Sequence, residues 1–556
     1  MIDRHPPDVA AAASAVRRIA DAFLSAHQRH SETVLARGGW DYETEDDRAE
    51  RRRREDDWLE GLRALEGMLP IGGADWATHG MLRQEIEAAV RLRVNRTELW
   101  DVNQMTGWHL VVAHLANTIP VDTPELREQA LGRFRALPGV IRARLDDLRH
   151  GVSRGYTAAQ QAVHRVSEQL GSLLSGGVLE SAAARASDAA FASAWREVIE
   201  KEVRPALAAY REYLVRDYAR VARDTPGLFA LPNGLEAYRA EVFRFTSLDL
   251  TPEQMLEGAD EEMEATDARL RPILARLYAG TTLEEGKQAM RGDPRLTHRS
   301  RPEMIEHARS VMEYIRPQLP RFFLHTPDVP LVIEPMTPVE EGIGASGYYQ
   351  SPEGEAPGRY VLNTAHALLI GRWETTCSAV HEGFPGHHFE RAYGDARSTR
   401  HPATKELQTQ AFREGWAFYG ESLASDMGVY DTDVARAGYY MHFLEVWVGL
   451  VADVLLHTGR VTRDQAIEIL IKRAGRLQHI SESRVDRYIA APGQVTCYMI
   501  GYRAVRQLRR DAEQVLGSCF DARSFHDVLL RDGPITLPMQ RAKINRWVED
   551  VRHANL

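Results

Sequence analysis

The chain has 556 residues, of which 69 are Lys or Arg and 79 are Asp or Glu, so its net charge is −10. A mildly acidic chain has no overall attraction to nucleic acid, and we expect no nucleic-acid partner. No apolar run reaches the ~18 residues of a membrane-spanning helix, and the charged, alanine-rich beginning is unlike a signal peptide, so we expect a cytoplasmic protein without a membrane partner.

Composition also bounds the fold and any metal chemistry. The chain is 44% hydrophobic and 27% charged, which is ordinary for a globular protein, and most segments favour helices. We expect a mainly α fold, with an N-terminal helical region at 1–185 and a second helical region at 186–556 that holds the candidate catalytic residues. The three cysteines have no paired spacing, so a metal would be bound by histidine and carboxylate rather than by thiolate.

The helices of the first half are predicted from composition and periodicity. Residues 8–30 are rich in alanine and long side chains, which favours a helix. The arginine run at 51–57 lies between acidic residues, so we interpret it as a solvated helix with internal ion pairs rather than as a polyanion-binding patch. Residues 124–152 carry an apolar stripe that we expect Pro138 to interrupt. Residues 252–280 begin with proline and end at a glycine, which predicts one helix.

A small antiparallel β-sheet is predicted at about residues 329–364. Residues 328–336 are β-branched and apolar, and residues 347–364 hold two short runs around a Gly/Pro/Glu turn, which indicates a hairpin. A helix candidate at 373–384 follows directly. An edge strand beside such a helix could hold an extended substrate by backbone hydrogen bonds.

The segment AVHEGFPGHHFE, residues 379–390, begins like the zinc motif H-E-x-x-H, with His381 and Glu382. In that motif the spacing of four places two imidazoles on one helix face, and the glutamate faces the metal-bound water. Here residue 385 is proline, which cannot donate to the helix and disfavours helix at the residue before it. We therefore expect the helix to widen or break between 384 and 386, where Gly386 permits unusual dihedral angles.

Two histidines follow the break, and either could be the second ligand. In an unbroken helix His388 would lie on the same face as His381 but ~10 Å along the axis, too far for one zinc ion. His387 needs the smaller distortion and is favoured, and His388 remains the alternative.

A third ligand is needed, and the helix candidate at 404–428 offers several. Glu406, Gln410 and Glu414 are spaced four apart and share a face, and Glu421 lies near the same line. The spacing by itself leaves the choice among them open.

Several motifs together resemble those of the domain of unknown function 885 family, which consists of large bacterial helical proteins. The first, H-E-x-x-P-G-H-H, corresponds to residues 381–388, and the second, R-E-G-W-A-x-Y-x-E, to residues 413–421. A D-x-x-x-H pattern matches Asp453 and His457, which could line the cleft, although a buried structural pair is the favoured interpretation. The third motif, P-G-Q…Y…G, includes Gln494, Tyr498 and Gly501. The resemblance covers roughly residues 190–540.

The resemblance implies a metallopeptidase-like helical body with a zinc-dependent hydrolase site, similar in plan to carboxypeptidases and oligopeptidases of the gluzincin type. Zinc would be held by His381, His387 and Glu414, and the same donors suit manganese, cobalt or nickel. Glu382 would act as the general base toward metal-activated water. We expect hydrolysis of a small peptide or amide substrate, whose identity the resemblance does not specify.

Other residues are candidates for supporting roles. A phenol would stabilise the developing oxyanion, with Tyr498 as the first candidate and Tyr419 as the second. Arg487 could bind a substrate carboxylate, although a surface arginine paired with Asp486 or Glu482 is the favoured interpretation. The remaining candidates, for orienting the histidines or contacting substrate, are His388, Gln410, Glu421 and Gln494.

Two alternatives to a peptidase stay open. One is a hydrolase of a non-peptide amide or natural product, and the other is a catalytically inactive helical binding protein. The sequence leaves the oligomeric state unspecified.

Overall fold

The computed structural model describes residues 8–36, 40–337, 341, 346–352, 356–395, 399–405, 407 and 409–554. This part of the chain is mainly helical, as predicted. The N-terminal helices are α1 (Val9–Ala36), α2 (Glu45–Ala64), α3 (Ala74–Leu92), α4 (Trp108–Thr118), α5 (Pro124–Ser153), α6 (Gln160–Ser175), α7 (Ser181–Arg185), α8 (Ala189–Val198) and α9 (Arg204–Arg216). The middle helices are α10 (Gly234–Thr246), α11 (Pro252–Leu256), α12 (Ala259–Leu277), α13 (Leu283–Gly292) and α14 (Arg301–Ile315). The C-terminal helices are α15 (Arg372–Glu382), α16 (His387–Asp395), α17 (Gln410–Asp426), α18 (Asp433–His457), α19 (Arg463–Ala474), α20 (Gln478–Ala490), α21 (Thr496–Leu516), α22 (Ala522–Leu530) and α23 (Leu537–Ala554).

The sheet lies between α14 and α15 in sequence. Its strands are β1 (Leu331–Pro335), β2 (Gly347–Gln350) and β3 (Gly358–Leu362), in the spatial order β1-β3-β2. The predicted hairpin is confirmed, because β2 and β3 pair antiparallel. The expectation of a wholly antiparallel sheet is wrong, because β1 pairs parallel with β3. The chain reverses direction once between β1 and β2 and again in the hairpin, so β3 runs in the same direction as β1. Strand β3 lies between the other two.

Most of the helices predicted for the first half are confirmed, and two predictions are corrected. The arginine run lies in α2, where Arg51 contacts Glu55 at 2.8 Å. Helix α5 continues through Pro138, since a proline removes only one helical hydrogen bond and buried side chains on both sides hold the helix in place. The single helix predicted at 252–280 is two helices, because Gly258 adopts the left-handed conformation, with φ of 71°, between α11 and α12.

Two large groups of buried side chains form the interior. The first contains residues from Leu99 to Ile544 and lies among the C-terminal helices and the sheet. The second gathers residues from Trp40 to Tyr218 and packs α4 to α9 together. The second group contains side chains from both sides of residue 185, and the division of the chain at that residue stays a prediction.

Helix α18 is the helix of the described residues that is long and apolar enough to cross a membrane. However, 72% of its most apolar window is buried inside the protein. An apolar helix enclosed by other helices is a core helix, and α18 passes behind the site described below.

Candidate metal centre

The break after Glu382 is as predicted from Pro385 and Gly386. Helix α15 ends at Glu382, and α16 begins at His387. Gly386 approaches the end of α15 so closely that a Cβ atom there would lie 1.9 Å from the carbonyl oxygen of His381. This close approach requires glycine, and it returns the chain so that the rings of His381 and His387 are 4.7 Å apart between centroids.

Helix α17 holds the turn between α15 and α16 in place. The indole Nε1 of Trp416 donates a hydrogen bond of 2.9 Å to the carbonyl oxygen of Pro385. Trp416 is fully buried, so this contact ties the turn to the interior. Because Trp416 is two residues beyond Glu414, the contact also fixes Glu414 relative to the two histidines.

His381, His387 and Glu414 form the cluster that could hold a metal ion. One ligand atom from each residue lies within 4.8 Å of the other two. Oε2 of Glu414 is 3.2 Å from Nε2 of His381 and 3.5 Å from Nε2 of His387. The structure thus brings together the three residues that the family resemblance implies as ligands.

His388 points away from this cluster and into the protein. Its Nε2 donates to the carbonyl oxygen of Val329 at 3.0 Å, and its Nδ1 is 3.1 Å from the hydroxyl of Tyr349 in β2. Burial lowers the pKa of His388 to about 4, so the ring is neutral. Of the two adjacent histidines, His387 faces Glu414, and His388 links α16 to the sheet.

A buried carboxylate lies behind His381. Oε1 of Glu421 is 2.9 Å from Nδ1 of His381, and the Glu421 side chain is fully buried. His442, on α18, approaches the same oxygen at 3.5 Å. Glu421 is predictable from its motif, whereas His442 is not, because a single histidine in an apolar helix has no spacing that relates it to the motifs.

The charges of the cluster act strongly on one another. Burial by itself lowers the pKa of His381, but hydrogen bonds to Glu414 and Glu421 outweigh it and hold this pKa well above its usual range. Burial raises the pKa of Glu414, yet the neighbouring His387 and His381 lower it overall. Two histidines and two carboxylates in direct contact form an arrangement that a divalent cation would stabilise.

Glu382 lies beside the cluster without contributing to it. The side chain is half-buried, and burial raises its pKa above the usual range, an effect that the charges of His387 and His381 oppose. The backbone N–H of Tyr349, in β2, donates toward its carboxylate. The β2 edge of the sheet therefore borders the site, as the sequence predicted for a strand in this position.

Helix α21 crosses α17 at a pair of glycines and brings Tyr498 to the site. A Cβ atom at Gly501 would lie 1.7 Å from the carbonyl oxygen of Ala411, and one at Gly415 would lie 2.3 Å from the backbone of Gly501. This close crossing places the ring of Tyr498 6.5 Å from that of His381. Burial, followed by the negative charge of Glu414, raises the pKa of Tyr498 to about 12, so the phenol keeps its proton.

Arg487 and Gln494 accompany Tyr498. Nη2 of Arg487 donates to Oε1 of Gln494 at 2.7 Å and to the Tyr498 hydroxyl at 3.4 Å. The favoured interpretation of Arg487 as a surface arginine paired with Asp486 or Glu482 is wrong. Asp486 contacts Arg463 at 2.7 Å, and Glu482 accepts from Gln478. The helix turns Arg487 to the side of the candidate site.

Two other candidates lie elsewhere. The hydroxyl of Tyr419 is 2.7 Å from Nε2 of His526 and accepts from Arg509 at 2.8 Å, so this phenol is engaged within the core. Gln410 is the first residue of α17, one turn before Glu414, and is half-buried. Glu406 lies outside the described residues.

Asp453 and His457 form a buried structural pair, as interpreted from the sequence. Both side chains are fully buried and lie 3.7 Å apart. Oδ2 of Asp453 accepts from the hydroxyl of Tyr238 at 2.7 Å and from the backbone N–H of Gly493 at 3.1 Å. Because Gly493 precedes Gln494, this pair holds the connection that carries Gln494 into the site.

The fold and the site define a class of large helical proteins. In this class, the main core surrounds a cluster of two histidines and one glutamate, and a buried carboxylate contacts one of the histidines. The sequence profile of DUF885, described as a bacterial protein of unknown function, matches residues 30–544. The chain therefore belongs to the DUF885 family. The match also includes most of the N-terminal helices, which the motifs alone did not connect to the family.

Solved structures share the fold. A candidate lipoprotein from Colwellia psychrerythraea superposes with a TM-score of 0.83 at 20% identity, covering 96% of this chain and 100% of the other. A candidate lipoprotein of unknown function from Shewanella oneidensis superposes with a TM-score of 0.77 at 17% identity, covering 95% and 99%. A search of curated proteins found no match. At these identities the similarity establishes the fold alone.

Proposed function

We propose that the protein is a zinc-dependent hydrolase of peptide or amide bonds. The cluster of His381, His387 and Glu414 carries the proposal. Ligand atoms bound to tetrahedral zinc at ~2.0–2.1 Å are about 3.3 Å from one another. The separations of 3.2 and 3.5 Å from Glu414 to the two histidines fit that requirement. Two histidines and a glutamate are also a donor set that catalytic zinc sites use.

The second support is the contact between Glu421 and His381. A metal-binding histidine usually donates its other ring N–H to a carboxylate, which fixes its tautomer and orientation. Nδ1 of His381 donates to Glu421 in this way, and Nε2 then faces Glu414. The fully buried carboxylate of Glu421 therefore fixes the orientation of the His381 ring, which a histidine without a metal-binding role would not require.

The residues around the cluster supply what amide hydrolysis requires. A zinc ion bound there would polarise the substrate carbonyl and make a water molecule more acidic. Glu382, which directly follows the proposed ligand His381 at the end of α15, would take the proton of the attacking water and deliver it to the leaving amine. Tyr498, which keeps its proton, would donate a hydrogen bond to the developing oxyanion.

Metal content is the first test of the proposal. Protein purified without chelator should contain about one zinc ion per chain, as expected for a single three-ligand site. A chain that stays metal-free after incubation with zinc, manganese, cobalt or nickel would refute the proposal and favour a helical binding protein. Hydrolysis of peptides but not of other amides would separate a peptidase from the alternative amide hydrolase.

Two matched substitutions test the separate roles of the glutamates. Glu382→Gln removes the general base and should keep zinc, while hydrolysis falls by a factor on the order of 10² to 10⁴. Glu414→Gln removes a charged ligand and should lose zinc as well as activity. Loss of zinc in Glu382→Gln would mean that Glu382 is itself a ligand. Full activity in the same variant would exclude it as the general base.

The cytoplasmic location stays a proposal that rests on the sequence. The two structural neighbours are described as candidate lipoproteins, and a lipoprotein would be attached to a membrane outside the cytoplasm. Fractionation of cells that express the full-length protein distinguishes the two locations.

A further inference from the structure

Arg487 is a cation at the candidate site that has no acidic partner among the residues that the structure describes. It lies on α20 and is half-buried. Its neighbour Arg484, one turn earlier on the same helix, contacts Glu445 at 3.5 Å, and Arg476 contacts the same carboxylate. Within the described ranges, no carboxylate forms an ion pair with Arg487. A half-buried charge is costly to leave unpaired. The positive charge of Arg487 could therefore be paired by an anionic group of a ligand.

Two neutral side chains orient the guanidinium without neutralising it. Nη2 donates to Gln494 at 2.7 Å and to the Tyr498 hydroxyl at 3.4 Å. The amide of Gln494 also donates to that hydroxyl, at 3.4 Å. Nε and Nη1 of Arg487 have no hydrogen-bond partner within the described part of the chain, and neither is cut off from solvent. Both bidentate faces of a guanidinium include Nη2, which is engaged here, so Nε and Nη1 remain as two separate donors through which the charge of Arg487 can be paired with a carboxylate.

The position of Arg487 relates it to the proposed metal ligands. It lies one side chain beyond Tyr498, whose ring is 6.5 Å from that of His381. The charge of Glu414 also acts on Arg487. In a peptide, the carboxylate of the last residue lies one residue from the carbonyl of the final amide bond, and consecutive Cα atoms are ~3.8 Å apart. A cation one side chain from the site where that carbonyl would be attacked is placed to contact this carboxylate.

We propose that Arg487, oriented by Gln494 and Tyr498, binds the free α-carboxylate of the substrate's leaving half. This inference rests on the proposed function and specifies its substrate class. The substrates are peptides or acylated amino acids in which the amide to be cleaved is the last one before a free carboxylate. Water adds its oxygen to the carbonyl carbon, the C–N bond breaks, and the amine nitrogen leaves with a proton as a free amino acid.

The test compares each substrate with its own amide. The probes are N-acetylated dipeptides with varied side chains, each prepared with a free C-terminal carboxylate and as the C-terminal amide. The zinc-loaded protein should cleave the free acids about 100-fold or more faster than the amides, measured as kcat/KM. Arg487→Met should lose that preference, mainly through a raised KM. Arg487→Lys should retain part of it, because the charge is kept but the planar guanidinium and its several donors are lost. Arg484→Met is the matched control and should keep the preference, since Arg484 is paired with Glu445.

Binding to the metal-free protein separates this inference from the proposed function. Ligand-observed NMR with the same dipeptides should detect the free acids but not the amides, and Arg487→Met should abolish the signal while circular dichroism shows an unchanged fold. Carboxylate binding that depends on Arg487 in a chain without hydrolase activity would support the carboxylate site and refute the hydrolase. Hydrolysis of acids and amides at equal rates would support the hydrolase and overturn the role of Arg487.

Discussion

The carboxylate behind His381 gives a quantitative prediction about metal affinity. Glu421 is fully buried, and its Oε1 is 2.9 Å from Nδ1 of His381. Glu421→Gln keeps the size of the side chain and an oxygen that can accept, but it removes the negative charge. A hydrogen bond to a charged group contributes about 1.5–3 kcal/mol, and each 1.4 kcal/mol is a factor of ten in affinity. Since the amide oxygen retains part of the bond, we expect zinc affinity to fall about 10- to 100-fold.

Competition with a chromogenic chelator measures this change directly. Glu374→Gln is the matched control, because Glu374 lies on α15 with His381 but contacts Arg291 and Arg476, each at 3.5 Å. The control should keep the parent's zinc affinity even where urea unfolding shows that it is less stable. A folded Glu421→Gln variant with a zinc affinity within about twofold of the parent would refute the claim that Glu421 orients His381 for a metal, because partners of metal-binding histidines usually contribute 10- to 100-fold.

Two further predictions test the neighbourhood of the cluster. His387→Ala should lose zinc. His388→Ala should keep zinc and lose part of the activity, because His388 links α16 to the sheet. The reverse pattern of metal content would show that the ligand is His388. Burial raises the pKa of Asp453 from 3.8 to about 8. Between about pH 4 and pH 8 the folded protein therefore keeps a proton that the unfolded chain has released. Because unfolding releases this proton, the free energy of unfolding falls as the pH rises through that range. At about 1.4 kcal/mol per pKa unit, Asp453→Asn should remove a few kcal/mol of that decline in urea unfolding at several pH values, and parallel pH profiles for parent and variant would contradict it.

Local chemistry made the helix break and the candidate ligands predictable. A proline in the fifth position of an H-E-x-x-H-like segment cannot continue the helix, and a glycine after it allows a close return of the chain. The break therefore favours His387 over His388 as the residue near the cluster, and in the structure His387 lies beside Glu414. The spacing of Glu414 and Glu421 on one predicted helix placed both carboxylates on the side that faces the histidines.

Predictions from local sequence are wrong where packing between helices decides which residues meet. Arg487 was assigned to the carboxylates nearest in sequence, but α19 supplies Arg463 to Asp486 and leaves Arg487 facing Gln494 and Tyr498. Pro138 was expected to interrupt α5, but packing on both sides of the proline keeps the helix continuous. In each instance a residue's immediate neighbours in sequence were outweighed by contacts with other helices.

The sequence by itself determined the helical class, the hairpin, the break after Glu382 and a short set of candidate metal ligands, because these depend on side-chain chemistry and on spacing within one element. The tertiary structure decided the parallel pairing of β1 with β3, the contact of His442 with Glu421 and the turning of Tyr419 into the core, because each depends on how separate elements pack against one another. The close crossing of α17 and α21 at Gly415 and Gly501 is the clearest example. A glycine in either helix alone indicates flexibility, and only the packed pair shows that both are needed to bring Tyr498 to the candidate metal centre.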